Sequence, residues 1–160
     1  MKIVMITNMS PASENIRGTS ALPFHLMKER EKDIDITIYS FNNNQLASEK
    51  IKEVERELNV DIHIVPLPKW FLWIFKFHLL FIRWFLRYPL HNYIRLPKRY
   101  VDEIKNLHPD GIWIYGEELS RIARQFGGYR RLHTLPDCES LYYYRMMGQR
   151  FVFSHWMTYM

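Results

Sequence analysis

The run K-I-V-M-I-T, Lys2 to Thr7, is apolar in both alternating registers after its first residue and stops at Asn8. A strand with one apolar face packs on one side; a continuous apolar run is buried on both sides, as in a parallel sheet. The rest of the chain repeats the same unit. A loop rich in turn residues, 9–18, follows, and Thr19 or Ser20 is placed to cap a helix to about Glu31. Ile34, Ile36 and Ile38 alternate with Asp35 and Thr37 as a second strand, ended by the loop Asn42-Asn43-Asn44. Ser48 is placed to cap a charged helix over 49–58, whose Ile51, Val54 and Leu58 form one apolar stripe. Residues 61–65 make a third strand, ended by Pro66. Further on, Pro97 opens a helix with Val101, Ile104 and Leu107 on one side, and His108-Pro109-Asp110 turns into a fourth strand, 111–115. A short helix over 117–126 ends at Gly127-Gly128, and 131–135 is a fifth strand broken by Pro136 and Asp137. Ser140 is placed to cap a last helix through about Arg150, and 151–160 begins an apolar continuation.

Strands alternating with helices imply right-handed crossovers, hence an α/β, Rossmann-like parallel sheet with helices on both faces, formed by residues 1–150. Ligands of such sheets bind at the carboxyl ends of the strands. That rule selects 8–18, 41–44, 116–118 and 137–140.

Composition limits the class. The chain has 160 residues, enough for one domain with a core, and 48% hydrophobic with 24% charged residues excludes disorder. Cys138 is the only cysteine, so an internal disulfide is excluded and a reducing compartment is favoured. The apolar start is too short for a signal peptide, and the seven histidines lack metal-ligand spacing, so no metal is expected.

Net charge is +5, but it is local. Between Asp61 and Asp102 there is no carboxylate, whereas Lys69, Lys76, Arg83, Arg87, Arg95, Lys98 and Arg99 all fall there. The heart of that interval is W-F-L-W-I-F-K-F-H-L-L-F-I-R-W-F-L-R-Y, Trp70 to Tyr88, read as one helix over 68–88 between Pro68 and Pro89. At about 100° per residue, Lys69, Lys76, Arg83 and Arg87 share an arc of roughly 40°. Trp70, Trp73 and Trp84 belong to the wide aromatic body around that stripe. Such a helix is suited to an anionic membrane surface, with rings among headgroups and cations on lipid phosphates. A core helix with snorkelling cations, or a surface for a partner domain, fits the same pattern. The uncharged run 70–75 falls far short of the about 20 apolar residues that span a bilayer. Nucleic acid is not expected as a partner, because single-strand binders space their aromatics over an open sheet or groove rather than in one dense helical run.

The segment L-H-P-D-G-I-W-I-Y, 107–115, resembles a motif of family-4-type bacterial glycosyltransferases of the two-Rossmann (GT-B) architecture. The start, with Lys2 to Asn8, a Pro-containing loop and Gly18 opening a helix, is similar to theirs, as is the basic-aromatic helix after the third strand. The resemblance covers nearly the whole chain as the N-terminal, acceptor-side half. It implies transfer of a sugar from a nucleotide donor to a lipid-linked or glycan acceptor, with retention, on the inner face of the plasma membrane. It implies no further cofactor, the nucleotide-sugar being bound mainly by a C-terminal donor domain of the same polypeptide that is not within these residues. Two departures stand out: relatives often have two glycines where Arg17 and Gly18 stand, and His-Asp where Pro136-Asp137 stands.

Within that frame Asp137 is the candidate base or orienting carboxylate, a cap or turn aspartate being the alternative. Arg17 and Gly18 are placed to approach a diphosphate, or form an ordinary turn before a helix. Glu117 and Glu118 are candidates for acceptor hydroxyls, or simply favour a helix start. Two other classes stay open. A nucleotide-binding domain of another enzyme is disfavoured by the absence of G-x-G-x-x-G after the first strand; a non-catalytic membrane-docking module would use the same basic helix.

Overall fold

The computed structural model describes residues 1–13, 18–88 and 90–135. Five strands, β1 (Lys2–Thr7), β2 (Asp35–Ser40), β3 (Asp61–Ile64), β4 (Gly111–Tyr115) and β5 (Arg131–Thr134), form one sheet in the order β3-β2-β1-β4-β5. Every pairing is parallel. The chain is therefore a Rossmann-like α/β domain, with β1 at its centre and the reversal of strand order between β1 and β4.

The pleat divides the apolar residues of each strand between two cores. Val4, Ile6, Tyr39, Ile112 and Ile114 face one side. They pack on α3 (Lys69–Lys76), α4 (Lys98–Asn106) and the 3₁₀ helices η1 (Leu80–Phe85), η2 (Leu90–Tyr93) and η3 (Glu117–Phe126). Met5, Ile36, Ile38, Ile62 and Tyr115 face the other side, against α1 (Gly18–Lys28) and α2 (Ser48–Leu58). Ile51, Val54 and Leu58 are the buried face of α2, as their spacing predicts.

Several boundaries differ from the expectation. α1 already starts at Gly18, so Thr19 and Ser20 are helical residues rather than caps. Ser48 is likewise the first residue of α2, preceded by Ala47 without a side-chain cap. The short helix after β4 keeps its expected bounds, Glu117 to Phe126, as a 3₁₀ helix, but Gly127 follows it in a right-handed conformation any residue adopts. Pro89, Arg17 and everything from Pro136 onward, including Asp137 and the helix expected after Ser140, lie outside the described residues.

The largest correction concerns 68–88. α3 stops at Lys76, and His78 takes a left-handed conformation at φ 52°. The Leu79 amide donates to the Ile74 carbonyl at 2.9 Å, the six-to-one closure that ends a helix around a left-handed residue. The chain then resumes as η1. The physical reason is packing. A straight helix apolar all round would leave half its rings without a core. Breaking it lets Phe71 and Ile74 enter from α3, while Leu79, Ile82 and Leu86 reach the same core from the second piece. Lys69 and Lys76 lie on one helix, whereas Arg83 lies in η1 and Arg87 beyond it, so the four do not form one helical stripe.

The Pro-Asp pair before β4 has a structural use. Asp110 accepts the Lys2 amide on Oδ2 at 2.7 Å and returns its own amide to the Lys2 carbonyl at 2.8 Å. This clasp ties the amino ends of β1 and β4. Asp110→Ala is expected to lower unfolding stability by about 1 kcal/mol, the net worth of an accessible charge-assisted hydrogen bond. A urea midpoint measurement checks it, and Asp110→Asn should retain part of the effect.

Candidate functional site

At the carboxyl edge the loops after β1 and β2 are laced together. Ser10 Oγ and Ser40 Oγ lie 2.9 Å apart, both buried. The Asn44 side chain accepts the Ser10 amide and donates to the Ser10 carbonyl, each at 2.9 Å. The Asn43 amide donates to the Asn8 carbonyl at 3.0 Å. Asn8, Ser10 and Ala12 are buried, so this half of the first loop is scaffold rather than an open ligand surface.

The other side of the edge is built on Gly116. Its φ is 119°, which side-chain-bearing residues rarely adopt. Its carbonyl lies 2.9 Å from Nε2 of His133, which donates in the tautomer that carries that proton. Its amide donates to the Thr134 carbonyl at 3.0 Å. Glu117 and Glu118 follow in the first turn of η3, half-buried. The Glu118 carboxylate folds back over Gly116, so that a methyl group there would stand 2.8 Å from Oε2. Of the residues singled out from sequence, Glu117 and Glu118 thus share the mouth of β4, and Gly18 opens α1.

The basic-aromatic segment starts just past the carboxyl end of β3 and forms a two-step ledge. Phe71 and Ile74 anchor its inner side. Its outer side carries Trp70, Leu72, Trp73, Phe77, Phe81, Trp84, Phe85 and Tyr88, eight of the fourteen large apolar side chains exposed among the described residues. Trp73, Trp84 and Phe85 are 61%, 64% and 82% exposed. Lys69, Lys76 and Arg87 are exposed among them, Lys76 lying 5.8 Å from the Phe77 ring centre and Arg87 5.4 Å from that of Tyr88. Arg83 is half-buried. Arg121 of η3 bridges ledge and mouth, with its guanidinium carbon 5.2 Å from the Tyr88 ring centre. Nothing in the apolar periodicity signals that role for Arg121.

His91 sits under the ledge, its ring centre 5.2 Å from that of Phe71. Burial first, and the Arg83 charge second, hold its pKa below the ordinary histidine value. The unfolded chain therefore takes up this proton first as pH falls. The His91 contribution to stability is complete above about pH 6.5 and is lost as pH drops from there toward the lowered folded value. His91→Phe is expected to flatten the decline of thermal midpoint below pH 6.5, read by circular dichroism across pH 5–8.

Among the described residues no group of His, Cys, Asp and Glu side chains is placed to hold a metal ion, and no helix is long and apolar enough to cross a membrane. Two cavities, of about 690 and 520 Å³, open at the amino edge of the sheet near Asp35 and Asp61 and near Ile3 and Arg130. Neither borders the carboxyl mouth. The fold and site define a Rossmann-like domain with a basic-aromatic ledge beside the carboxyl edge of its sheet. The chain matches no family model, no curated protein and no solved structure.

Proposed function

We propose that this chain is the acceptor-side half of a glycosyltransferase that works on an anionic membrane surface, taking a lipid-linked or glycan acceptor while a second domain presents the nucleotide-sugar. The ledge carries this reading: exposed tryptophan and phenylalanine rings interleaved with exposed cations, in 40 residues without a carboxylate. Exposed apolar patches of this size mark interaction surfaces, and the uniform positive charge selects an anionic one. The bilayer would meet the ledge next to the carboxyl mouth, where Glu117 and Glu118 hold positions suited to acceptor hydroxyls. Asp137 remains the proposed base or orienting carboxylate and Arg17 and Gly18 the proposed diphosphate contacts. The proposed location is cytoplasmic and peripheral.

The test is sedimentation with vesicles of neutral lipid, of neutral plus anionic lipid, and of the latter doped with a polyprenyl diphosphate sugar. Binding that requires anionic lipid and falls with salt supports docking. A further gain of at least 10-fold with the doped vesicles supports the acceptor assignment. Docking without that gain leaves a membrane-docking module and removes the sugar-transfer reading.

A further inference from the structure

At the amino edge of the sheet, on the face that carries α1 and α2, one row of side chains has a gap. The register aligns Ile36, Ile3 and Gly111 across β2, β1 and β4. The next row on that face is Ile38, Met5, Trp113 and Leu132. Ile3, Ile36 and Trp113 pack with the core of this face, so Gly111 stands there too, with no side chain to fill its place. Among the described residues, the nearest neighbour of a Cβ added to Gly111 would be the Arg130 carbonyl oxygen, 3.8 Å away. The gap is the floor of the 520 Å³ cavity, which Leu26 of α1 and Ile34 before β2 also line. The Trp113 Nε1 donates to Thr134 Oγ1 at 2.9 Å, so the ring offers the cavity an apolar face with its polar atom satisfied. Leu26 and Leu132 are exposed, so this apolar lining is open to solvent.

The lining carries cations at its polar end: Arg30, Arg130 and Arg131, with Asp110 the carboxylate beside them. Each has a different freedom. Arg131 sends Nη1 to the Ala123 carbonyl of η3 on the opposite face at 2.9 Å. The pleat alternation then turns its neighbours Arg130 and Leu132 toward the cavity. Arg30 is spent on backbone carbonyls, with Nη1 on Met27 at 2.7 Å and Nη2 on Leu58 at 2.7 Å, so it lends charge but no open fork. Asp110 accepts the Lys2 amide. Arg130 is exposed and continues the row Ile36, Ile3, Gly111, its carbonyl accepting the Ile112 amide at 2.9 Å.

We infer that this cavity binds a fatty acid, with the alkyl chain over Gly111 between α1 and the sheet and the carboxylate on Arg130. The volume falls in the range of about 300–1,000 Å³ typical of small-molecule sites, and a mostly apolar lining with a few polar groups at one end is their usual make-up. Aliphatic walls suit a flexible alkyl chain. One guanidinium fork pairs a carboxylate through two parallel hydrogen bonds. The site lies on the edge opposite the carboxyl mouth and depends neither on sugar transfer nor on docking of the ledge.

The test is calorimetric titration with decanoate, below its aggregation concentration, of the chain carrying Trp73→Ser, Trp84→Ser and Phe85→Ser, so that the ledge does not take up the probe. Saturable binding of one decanoate per chain is expected. Gly111→Val in that background places a side chain in the gap and should weaken binding at least 10-fold. Valine suits a strand, so the unfolding midpoint should hold. Leu132→Gln, at an exposed position, gives a second reading of the same wall if that midpoint falls. Arg130→Gln should weaken decanoate about 10-fold, the worth of a charge-assisted pair, and leave decanol unchanged. Vesicle binding of the chain with an intact ledge should be unaffected by Gly111→Val, which separates this site from the docking proposal. No saturable heat, or decanoate binding indifferent to both Gly111→Val and Leu132→Gln, overturns the site. Equal losses of decanoate and decanol in Arg130→Gln overturn the carboxylate assignment. Self-association abolished by Gly111→Val, without decanoate binding, would give the face to a second copy of the chain and overturn the inference.

Discussion

A chain carrying Trp73→Ser, Trp84→Ser and Phe85→Ser is expected to lose at least 100-fold in affinity for anionic vesicles while keeping its fold. These are the most exposed large rings of the ledge, so their removal opens no cavity. Each ring carries some 150–250 Å². Only part of that enters an interface, so about 1 kcal/mol per ring is a restrained value at about 25 cal/mol per Å². Three rings then give about 3 kcal/mol, more than a hundredfold. A companion variant, Lys69→Glu/Lys76→Glu/Arg87→Glu, should remove the preference for anionic lipid and with it the salt dependence, at about 1 kcal/mol per cation near the surface. Arg83 is left intact because it is half-buried and its charge acts on His91. Unchanged binding in the triple serine variant would take the ledge away from the bilayer and make it a surface for another protein domain.

The second large effect is expected at the mouth. Gly116→Ala should lower unfolding stability by about 3 kcal/mol. Two costs combine. An alanine at φ 119° occupies backbone space closed to side-chain-bearing residues, worth about 1–3 kcal/mol. Its methyl group would also meet the Glu118 carboxylate at 2.8 Å, a smaller cost because that is the far end of a flexible side chain that can swing aside. Adding Glu118→Ala should recover the second part and leave the first, so a double-mutant cycle read by urea unfolding separates them. A Gly116→Ala chain as stable as wild type would mean that β4 ends in a different backbone conformation.

The sheet is legible in the residues because parallel strands buried on both faces appear as continuous apolar runs. Lys2–Thr7 and Gly111–Tyr115 therefore announce themselves, and the stripe of Ile51, Val54 and Leu58 announces α2. The break at His78 is not legible, since the preference of histidine for left-handed positions is too weak to mark one and the apolar run continues across it. Tertiary packing decides it, through Ile74 and Leu79. The Pro-Asp pair is visible as a turn, but its bond to Lys2 spans the chain and has no local signature. Glu117 and Glu118 are found by the rule for carboxyl ends of strands. Arg121 escapes it, because only the folded chain brings Tyr88 and Tyr93 to its two sides.

The central position of β1 has a consequence for biosynthesis. Its partners are β2, close behind it, and β4, which is made some hundred residues later. A nascent chain can pair β1, β2 and β3 and close the core over α1 and α2 early. The opposite face must wait for β4 and η3, because Ile112, Ile114, Leu119 and Ile122 complete it. During that interval the segment from Trp70 to Tyr88 has already left the ribosome with its inner anchors still uncovered. Such a chain is most prone to aggregation before residue 126 has emerged from the ribosome, and a chaperone or an early bilayer contact would shield it then.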